Sequence, residues 1–300
     1  MTIQALREFV GRHSASVAGL AALGAALDAR TTGVPLEPAL AGRVQDLLAA
    51  LGAGDALEGA SAEDVAPVLA LLRVTLRINS KLLFADTRAA VWSHTEPELL
   101  TAAGEVSVGF AKALTGMVVP ALEGLSERLG SPSAAFLDVG VGVGKLSIAL
   151  ARLLPELRIV GIDPWQPSLA LARKNVDDAG LGDRIQLREQ AAEDLGDEAA
   201  FDLGWLPTTF MPARAIPTAC ERVHRALRPG GWLLFAIANP GPDATSAALS
   251  RLFTTFCGGS VMTTSEVEGL LRETGLVEVR ALPAQPGSPV MLVVGRRKPA

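Results

Sequence analysis

The sequence predicts an α/β protein with a doubly wound, mostly parallel seven-stranded sheet that ends in an antiparallel hairpin, preceded by an N-terminal all-helical domain. From residue 131 onward, short apolar runs alternate with helix-spaced patterns, which is typical of a parallel sheet with crossover helices. A glycine-rich turn follows the first run, where a strand would pass into a helix. The last two runs are too close for a parallel crossover, so they must pair antiparallel.

The chain up to about residue 130 has helical periodicity and almost no β-branched alternation. Apolar residues recur at helical spacing over Leu36–Leu51, Glu63–Ile78 and the long stretch Glu96–Leu129. These patterns predict several short helices, and we therefore assign residues 1–130 to a helical domain.

An apolar stretch near the N-terminus has two interpretations. Arg7 and Arg12 precede the small apolar residues 14–27, as in a secretory signal, but Glu8 interrupts the basic region. The same residues also fit an alanine-rich helix, which we favour. No apolar run approaches the length of a bilayer span, so a cytoplasmic protein is expected.

The second part of the chain, residues 131–300, is expected to form the sheet domain, and the Ser131-Pro132-Ser133 turn introduces it. The predicted strands are Ala135–Val139, Arg158–Ile162, Arg184–Leu187, Phe201–Leu206, Trp232–Ala238, Val277–Leu282 and Val290–Gly295. The predicted helices are Gly144–Leu154, Ser168–Ala179, Pro212–Leu227 and one that begins with a capping box at Ser265.

Composition excludes several classes of function. Hydrophobic residues make up 49% and charged residues 20%, which suits a packed soluble core. The net charge of −5, with no run of Lys or Arg, gives no footprint for nucleic acid. Cys220 and Cys257 lack the spacing of a zinc site, and no metal-ligand constellation is evident.

The sharpest motif is the turn Asp138-Val139-Gly140-Val141-Gly142-Val143-Gly144. A phosphate-binding P-loop requires Ser or Thr after the lysine, but Leu146 follows Lys145. A dinucleotide fingerprint that starts at Gly140 would need its third glycine at position 145, where this chain has lysine. The turn therefore favours a nucleoside that is bound without phosphates.

Two acidic residues support this interpretation. Asp138 would repel a pyrophosphate but suits a cationic sulfonium amino acid. Asp163 ends the second predicted strand, 163 − 140 = 23 residues after the first glycine, where a carboxylate can accept both ribose hydroxyls. The alternative for Asp163 is a helix N-cap or turn residue before Pro164.

With these residues, positions 135–163 resemble motifs I and II of the class I S-adenosylmethionine (SAM)-dependent methyltransferases. The Arg228-Pro229-Gly230-Gly231 turn before Trp232 resembles the family's L-x-P-G-G turn, and the terminal hairpin is similar to that of its sheet. The resemblance covers about residues 131–300, and it implies SAM as the cofactor.

The resemblance also implies roles for individual residues. Gly140, Gly142 and Gly144 would line the methionine and ribose part of SAM, Asp138 would lie near its amino group, and Asp163 would hold the ribose. Trp165 would pack on the adenine, although a surface aromatic is an equal alternative.

Two further parts of the cofactor site follow from the resemblance. The family often has an Asp at the adenine amino group after the third strand, but this chain has Ala191 there. Backbone groups of Ala191 and Ala192, with Gln190, are expected to substitute. Leu206, at the end of the fourth strand, completes the expected cofactor-binding set.

The methyl acceptor is less well defined. Relatives that methylate planar amines have [Asn/Asp]-Pro-Pro-[Phe/Tyr/Trp] after the fourth strand, and Leu206-Pro207-Thr208-Thr209-Phe210 lacks its polar first residue. O-methylation of a small-molecule metabolite is therefore expected. His94 is the candidate general base, and an ordinary loop histidine is its alternative.

The helical front domain resembles the N-terminal domains of small-molecule O-methyltransferases, which cap the substrate and dimerise, so a homodimer is expected. Three alternatives stay open at this point. The chain could use SAM for cyclisation or elimination, or it could be a non-catalytic methyltransferase-fold binding module. An NAD-dependent oxidoreductase is disfavoured because the third glycine is missing.

Overall fold

The computed structural model describes residues 2–54, 59, 61–84, 89–284 and 288–300. The chain forms two compact units, residues 1–85 and residues 86–300.

The first unit is helical, as expected. It contains α1 (Ile3–Thr32), α2 (Pro38–Ala50) and α3 (Ala62–Phe84), and α1 packs against both of the others. The hydroxyl of Thr2 accepts the Ala5 N–H at the start of α1, and Gly33 ends the helix in the left-handed conformation. The residues 14–27, for which a signal was the alternative, therefore lie within α1.

Two small apolar clusters hold this unit together. One joins Leu27 of α1 to α3, and the other joins Ala22 of α1 to α2. The cluster members are Leu27, Val65, Leu69 and Leu72 in the first, and Ala22, Val44 and Leu48 in the second. Val65, Leu69 and Leu72 recur at helical spacing, in agreement with the periodicity predicted for 63–78.

The second unit contains a seven-stranded sheet, and the predicted fold class is confirmed. The strand order is β3-β2-β1-β4-β5-β7-β6, with the first five strands parallel and β7 antiparallel to both of its neighbours. The strands are β1 (Ala135–Val139), β2 (Arg158–Asp163), β3 (Ile185–Glu189), β4 (Phe201–Pro207), β5 (Leu227–Ala238), β6 (Val277–Ala281) and β7 (Val290–Arg296).

Helices cover this sheet. They are α4 (Pro97–Glu105), α5 (Val108–Ala113), α6 (Leu125–Leu129), α7 (Lys145–Leu153), α8 (Gln166–Asp178), α9 (Ile216–Ala226), α10 (Ala244–Phe256) and α11 (Thr264–Glu273). A π-helical turn over 114–118 and 3-10 turns over 119–121 and 192–194 complete the helical segments.

Some boundaries differ from the prediction. Strand β5 begins at Leu227, so the Pro-Gly-Gly turn lies within it, and Gly230 adopts a φ of 77°. The capping box of α11 is formed by Thr263 and Glu266 rather than at Ser265, because the Thr263 hydroxyl accepts the Glu266 N–H. These shifts leave the topology unchanged.

The boundary between the compact units lies at residues 85/86 rather than at 130/131. The helices between 97 and 129 pack on the sheet, where Leu114, Val118 and Leu125 share a core cluster with Phe136 and Trp232. A second cluster, built on the alternate strand residues, packs against α9 and α11. Periodicity missed this because a helix shows the same apolar spacing whether it packs on helices or on a sheet.

One helical stretch, Pro97–Ala121, is long and apolar enough by composition to span a membrane, contrary to the expectation of none. The stretch is interrupted between α4 and α5 and again by the π turn. Its residues Leu99, Leu100, Ala111 and Leu114 are buried in the second unit, so part of its apolar surface is used in packing.

Candidate cofactor and acceptor site

The expected site residues converge at one edge of the sheet. Strand β1 has β2 on one side and β4 on the other, so the chain order reverses at β1. Ligands of open α/β sheets bind outside the carboxyl ends of the strands at such a point. The turn after β1 lies there, between Asp163 at the end of β2 and Pro207 at the end of β4.

The glycine turn has the backbone conformation that its sequence requires. Gly140, Gly142 and Gly144 have φ values of 69°, 56° and 79°, in the left-handed region that side-chain-bearing residues avoid. The N–H groups of Gly140 and Val141 both donate to the Ile162 carbonyl, at 2.8 and 3.0 Å. A Cβ at Gly142 would meet only the Gly140 carbonyl oxygen, at 3.9 Å, so the turn is open on that side.

Asp163 fastens this turn to strand β2. Its Oδ2 accepts the Gly142 N–H and its Oδ1 accepts the Trp165 N–H, each at 2.8 Å. Burial raises the pKa of Asp163, while the two backbone hydrogen bonds act in the opposite direction. Each carboxylate oxygen accepts more than one hydrogen bond, so Asp163 retains capacity for two further hydroxyl donors.

Asp138 is almost fully buried beneath the turn. Burial raises its pKa to about 7, the Ser147 hydroxyl lowers it through a 2.6 Å hydrogen bond, and the negative charge of Asp163 raises it. A buried carboxylate that ionises near neutrality favours a cationic ligand, because the ligand supplies the missing counter-charge.

Two helices support the turn from outside. Helix α4 lies so close that a Cβ at Gly104 would come within 2.2 Å of Val143 Cγ2. The Glu105 carboxylate forms a 2.6 Å ion pair with the Lys145 ammonium. From α8, the Asn175 amide donates to the Val143 carbonyl at 2.9 Å.

The segment that follows β3 contacts Asp163 through its backbone. The Gln190 N–H donates to the Asp163 carbonyl at 3.2 Å, while its side-chain amide donates to the Asp194 carbonyl at 2.8 Å. Ala191 is half-buried and Ala192 is buried in the apolar core. The fold therefore brings Gln190 beside Asp163, and Ala191 occupies the position where an Asp was expected.

The side chain of Leu206 is fully buried in the apolar core, in the cluster that contains Ile162 and Phe235. A cofactor contact by Leu206 stays a prediction, and with the side chain buried it would involve the backbone of this residue. Strand β4 is buried on both faces, and its sequence alone does not indicate which residues face the ligand.

Three segments contact one another around Trp92, and one of them is hydrogen-bonded to Trp165. Residues 89–96 contact the loop after β4 through Trp92, whose ring lies 4.6 Å from that of Phe210 and 4.7 Å from that of His94, both edge-on. The loop after α10 joins them, because the Ser260 N–H donates to the Thr208 carbonyl at 3.3 Å. We call the aromatic group Trp92, His94 and Phe210 the acceptor wall.

His94 lies in this wall, and its residue is only 6% exposed. Its backbone carbonyl accepts the indole N–H of Trp165 at 2.7 Å. The structure thus places His94, the candidate base, next to Trp165. His224 is half-buried on α9, and burial, together with the charges of Arg297 and Arg225, lowers its pKa.

Several functional residues were not predicted from sequence. Ser147 could have been found as the hydroxyl on the buried face of α7, between Leu146 and Ile148. Gly104, Asn175 and the Trp165–His94 contact carry no local signal, because they join segments that are distant in the chain.

The residues fit a SAM molecule. The open glycine turn provides an approach without a Cβ, Asp163 provides hydroxyl acceptors, and Asp138 provides negative charge for an ammonium or sulfonium group. No phosphate-binding lysine and serine pair accompanies the turn. The donor set thus suits a nucleoside that carries a cationic amino-acid tail.

Comparisons with known proteins agree with this geometry. Residues 136–231 match the family model of a methyltransferase domain. A release factor glutamine methyltransferase from Geobacter sulfurreducens is 30% identical over 176 residues, which cover 49% of this chain and 59% of that protein. A ubiquinone biosynthesis O-methyltransferase from Pseudomonas syringae pv. tomato is 34% identical over 126 residues, 40% of this chain and 51% of that protein.

The chain spans about half the length of the curated relatives that it matches. A solved structure covers more of it: an O-methyltransferase family protein from Burkholderia thailandensis aligns over 100% of this chain and 99% of its own. The TM-score is 0.67 at 18% sequence identity, so the two share a fold that includes the N-terminal helices.

The sheet order and the glycine turn with its two carboxylates accompany a methyltransferase domain, which the family model matches over residues 136–231. The residues of the turn suit S-adenosylmethionine as the cofactor. Over its whole length, the chain has the fold of the O-methyltransferase from Burkholderia thailandensis.

Proposed function

We propose that this protein transfers the methyl group of SAM to an oxygen atom of a small, apolar or aromatic metabolite. The observation that carries the proposal is the acceptor wall, which Trp165 joins to Asp163, because its indole N–H donates to the His94 carbonyl and its backbone N–H donates to the Asp163 carboxylate. A planar apolar acceptor would pack against the rings of Trp92 and Phe210. Phe210 is 43% exposed, so it has surface to offer.

Methyl transfer from a sulfonium is an in-line displacement. SAM supplies an electrophilic methyl group, and the chain's own residues orient the acceptor and exclude water. A hydroxyl acceptor becomes a better nucleophile if it loses its proton. We assign that role to His94, since an imidazole in its neutral form accepts a proton at one ring nitrogen.

The cofactor assignments form part of the proposal. Gly140, Gly142 and Gly144 would line the methionine and ribose, Asp138 would face the amino group, and Asp163 would accept the ribose hydroxyls. Trp165 would lie at the adenine with the backbone of Gln190, Ala191 and Ala192. Support comes from the convergence of these residues at one sheet edge.

The residues at the end of β4 and in the loop after it favour an oxygen acceptor over an amide nitrogen. The relative from Geobacter sulfurreducens is a glutamine methyltransferase. At the first position of the amine-methylation motif, where that motif has Asn or Asp, this chain has the apolar residue Leu206. The Leu206 side chain is also buried. An amide nitrogen would find no polar partner from that side chain, which favours an oxygen acceptor.

The first experiment is a calorimetric titration of the full chain with SAM and with S-adenosylhomocysteine. Binding of both supports the cofactor assignment, and binding of neither overturns it. Incubation with SAM alone, followed by product analysis, then tests the alternative of cyclisation or elimination. Methyl-labelled SAM offered with panels of phenols, carboxylic acids and amines tests the acceptor class.

His94→Gln tests the proposed base. The amide side chain is similar in size but does not accept a proton at neutral pH. Labelled methyl transfer to a phenol should fall by roughly 10²–10⁴-fold, the typical contribution of a general base. Calorimetry with S-adenosylhomocysteine on the same variant checks that the cofactor still binds. Methyl transfer at the wild-type rate would remove His94 from the mechanism.

We also propose that the helical unit mediates association of two chains in the cytoplasm. Helix α1 presents the exposed residues Ile3, Leu6, Val10 and Val17 at spacings of three, four and seven. Such a stripe favours burial against another helix. A second copy of the chain would supply that helix.

A further inference from the structure

We propose that Trp165 is a positioning residue that couples the cofactor turn to the acceptor wall through its indole N–H. The proposal rests on the proposed function, because it takes the wall to be the acceptor-binding surface. It assigns Trp165 a role beyond an adenine contact. When the cofactor site is occupied, the Trp165 side chain holds residues 89–96 in position beside it.

The coupling follows a continuous series of contacts. The Gly142 N–H and the Trp165 N–H donate to the two oxygens of Asp163, each at 2.8 Å. The indole of the same Trp165 donates to the His94 carbonyl at 2.7 Å. A single residue therefore bonds to the cofactor carboxylate with its backbone and to the 89–96 segment with its side chain.

The series continues to the loop after β4. The ring of Trp92 lies edge-on to both His94 and Phe210. The loop after α10 encloses the 89–96 segment, since a Cβ at Gly258 would lie 2.8 Å from Val91 Cα. Displacement of the His94 carbonyl would therefore shift Trp92 against Phe210 as well.

The 89–96 segment depends on such a tie. It has no regular secondary structure between residue 89 and the start of α4 at Pro97. The Trp165–His94 hydrogen bond joins it to a residue 71 positions away in the chain. An indole N–H to a carbonyl is an uncharged hydrogen bond, and its loss increases local opening by on the order of 10-fold.

Hydrogen–deuterium exchange of the full chain, with and without S-adenosylhomocysteine, tests the coupling. In the wild-type protein, the ligand should slow exchange in peptides that cover residues 140–146 and in peptides that cover 89–96. In Trp165→Phe, which keeps a ring for the adenine but removes the donor, S-adenosylhomocysteine at a concentration that saturates the variant should still protect 140–146. Protection of 89–96 should be lost, with an increase in exchange on the order of 10-fold.

Trp232→Phe is the matched control. It removes the same kind of bond, because the Trp232 indole donates to the Glu123 carbonyl at 3.2 Å, in a different part of the unit. Ligand-induced protection of 89–96 should persist in this variant. A general loss of stability in Trp165→Phe would increase exchange in both peptides, which distinguishes it from lost coupling.

Two outcomes would overturn the proposal. One is protection of 89–96 by the ligand in Trp165→Phe to the wild-type extent. The other is no protection of 89–96 in the wild type although 140–146 is protected. If S-adenosylhomocysteine protects neither segment, the proposed function fails instead. Comparison of the unliganded proteins then still tests whether the indole N–H holds the segment.

Discussion

The Ser147 hydroxyl donates a 2.6 Å hydrogen bond to Oδ2 of Asp138. Ser147 lies in the first turn of α7, and Asp138 lies near the end of β1, just before the glycine turn. This is the polar contact that stabilises an otherwise desolvated carboxylate. Because burial dominates, the pKa of Asp138 still rises to about 7. The residue beneath the cofactor turn thus changes charge near neutral pH.

The affinity for SAM should rise with pH through the pKa of Asp138, which is about 7. A protonated carboxyl offers no counter-charge to the cationic tail, whereas the carboxylate does, so binding near or below this pKa should release a proton. Calorimetry in two buffers with different ionisation enthalpies measures that release. Ser147→Ala should move the midpoint upward, because the serine hydrogen bond lowers the pKa. A pH-independent affinity would contradict this role.

Asp138→Asn should stabilise the second unit at pH 8. The folded-state pKa of about 7 exceeds the ordinary value of 3.8, so the stability contributed by Asp138 is present below pH 3.8 and is lost as pH rises through 7. The neutral amide avoids that loss, so the free energy of unfolding should increase by at most about 4 kcal/mol. Urea unfolding monitored by tryptophan fluorescence at pH 8 and at pH 4 provides the comparison. A variant that is less stable than wild type at pH 8 would exclude the effect.

Asp163→Ala should weaken SAM binding by about 10- to 100-fold, since removal of hydrogen bonds to a charged acceptor costs roughly 1–3 kcal/mol. The turn would also lose its fastening at the Gly142 N–H. Comparison of S-adenosylhomocysteine with its 2′,3′-dideoxy analogue separates the loss of hydrogen bonds to the ribose from the loosening of the glycine turn. Wild type should prefer the hydroxylated ligand, and the variant should not. Equal discrimination by both proteins would remove the ribose role.

Gly104→Ala should move α4 away from the glycine turn, because the new Cβ would lie 2.2 Å from Val143 Cγ2. Overpacking of this kind costs about 1–3 kcal/mol and should lower both stability and SAM affinity. The double variant with Val143→Ala should recover both. Gly109→Ala is the control, since nothing lies within 4 Å of its added Cβ. Failure of the double variant to recover would refute the steric explanation.

Val10→Glu combined with Val17→Glu should produce a monomer if α1 pairs two chains. These residues are 55% and 58% exposed in the single chain, and a charge would be buried unpaired at the interface. Light scattering coupled to size exclusion gives the mass. Ala15→Glu, also exposed on α1 but outside the apolar stripe, should leave the mass unchanged. A wild-type monomer would end the proposal.

The parts of the fold that were predicted correctly depend on local sequence. The glycine turn, the position of Asp163 and the order of strands and helices follow from motif spacing and short-range periodicity, which act within one strand–turn–helix unit. The antiparallel end of the sheet followed from the short connection before β7, which excludes a crossover.

The parts that sequence did not predict depend on distant packing. The helices before residue 130 show ordinary amphipathic spacing, so the pattern did not indicate that they pack on the sheet. The inward orientation of Leu206 could not be read from a strand that is buried on both faces. The Trp165–His94 bond joins two segments without a shared motif, so only the tertiary structure brings them together.

The two backbone hydrogen bonds accepted by Asp163 also have a consequence for enzyme redesign. A residue that fastens its own loop is a poor position at which to alter nucleoside preference, because any replacement loosens the scaffold before it changes selectivity. Neighbouring positions 190 and 191 are only partly buried and are proposed to approach the same ligand through main-chain atoms, so they tolerate a wider choice of side chains. A library aimed at synthetic analogues of the methyl donor would therefore vary those positions and leave 163 unchanged.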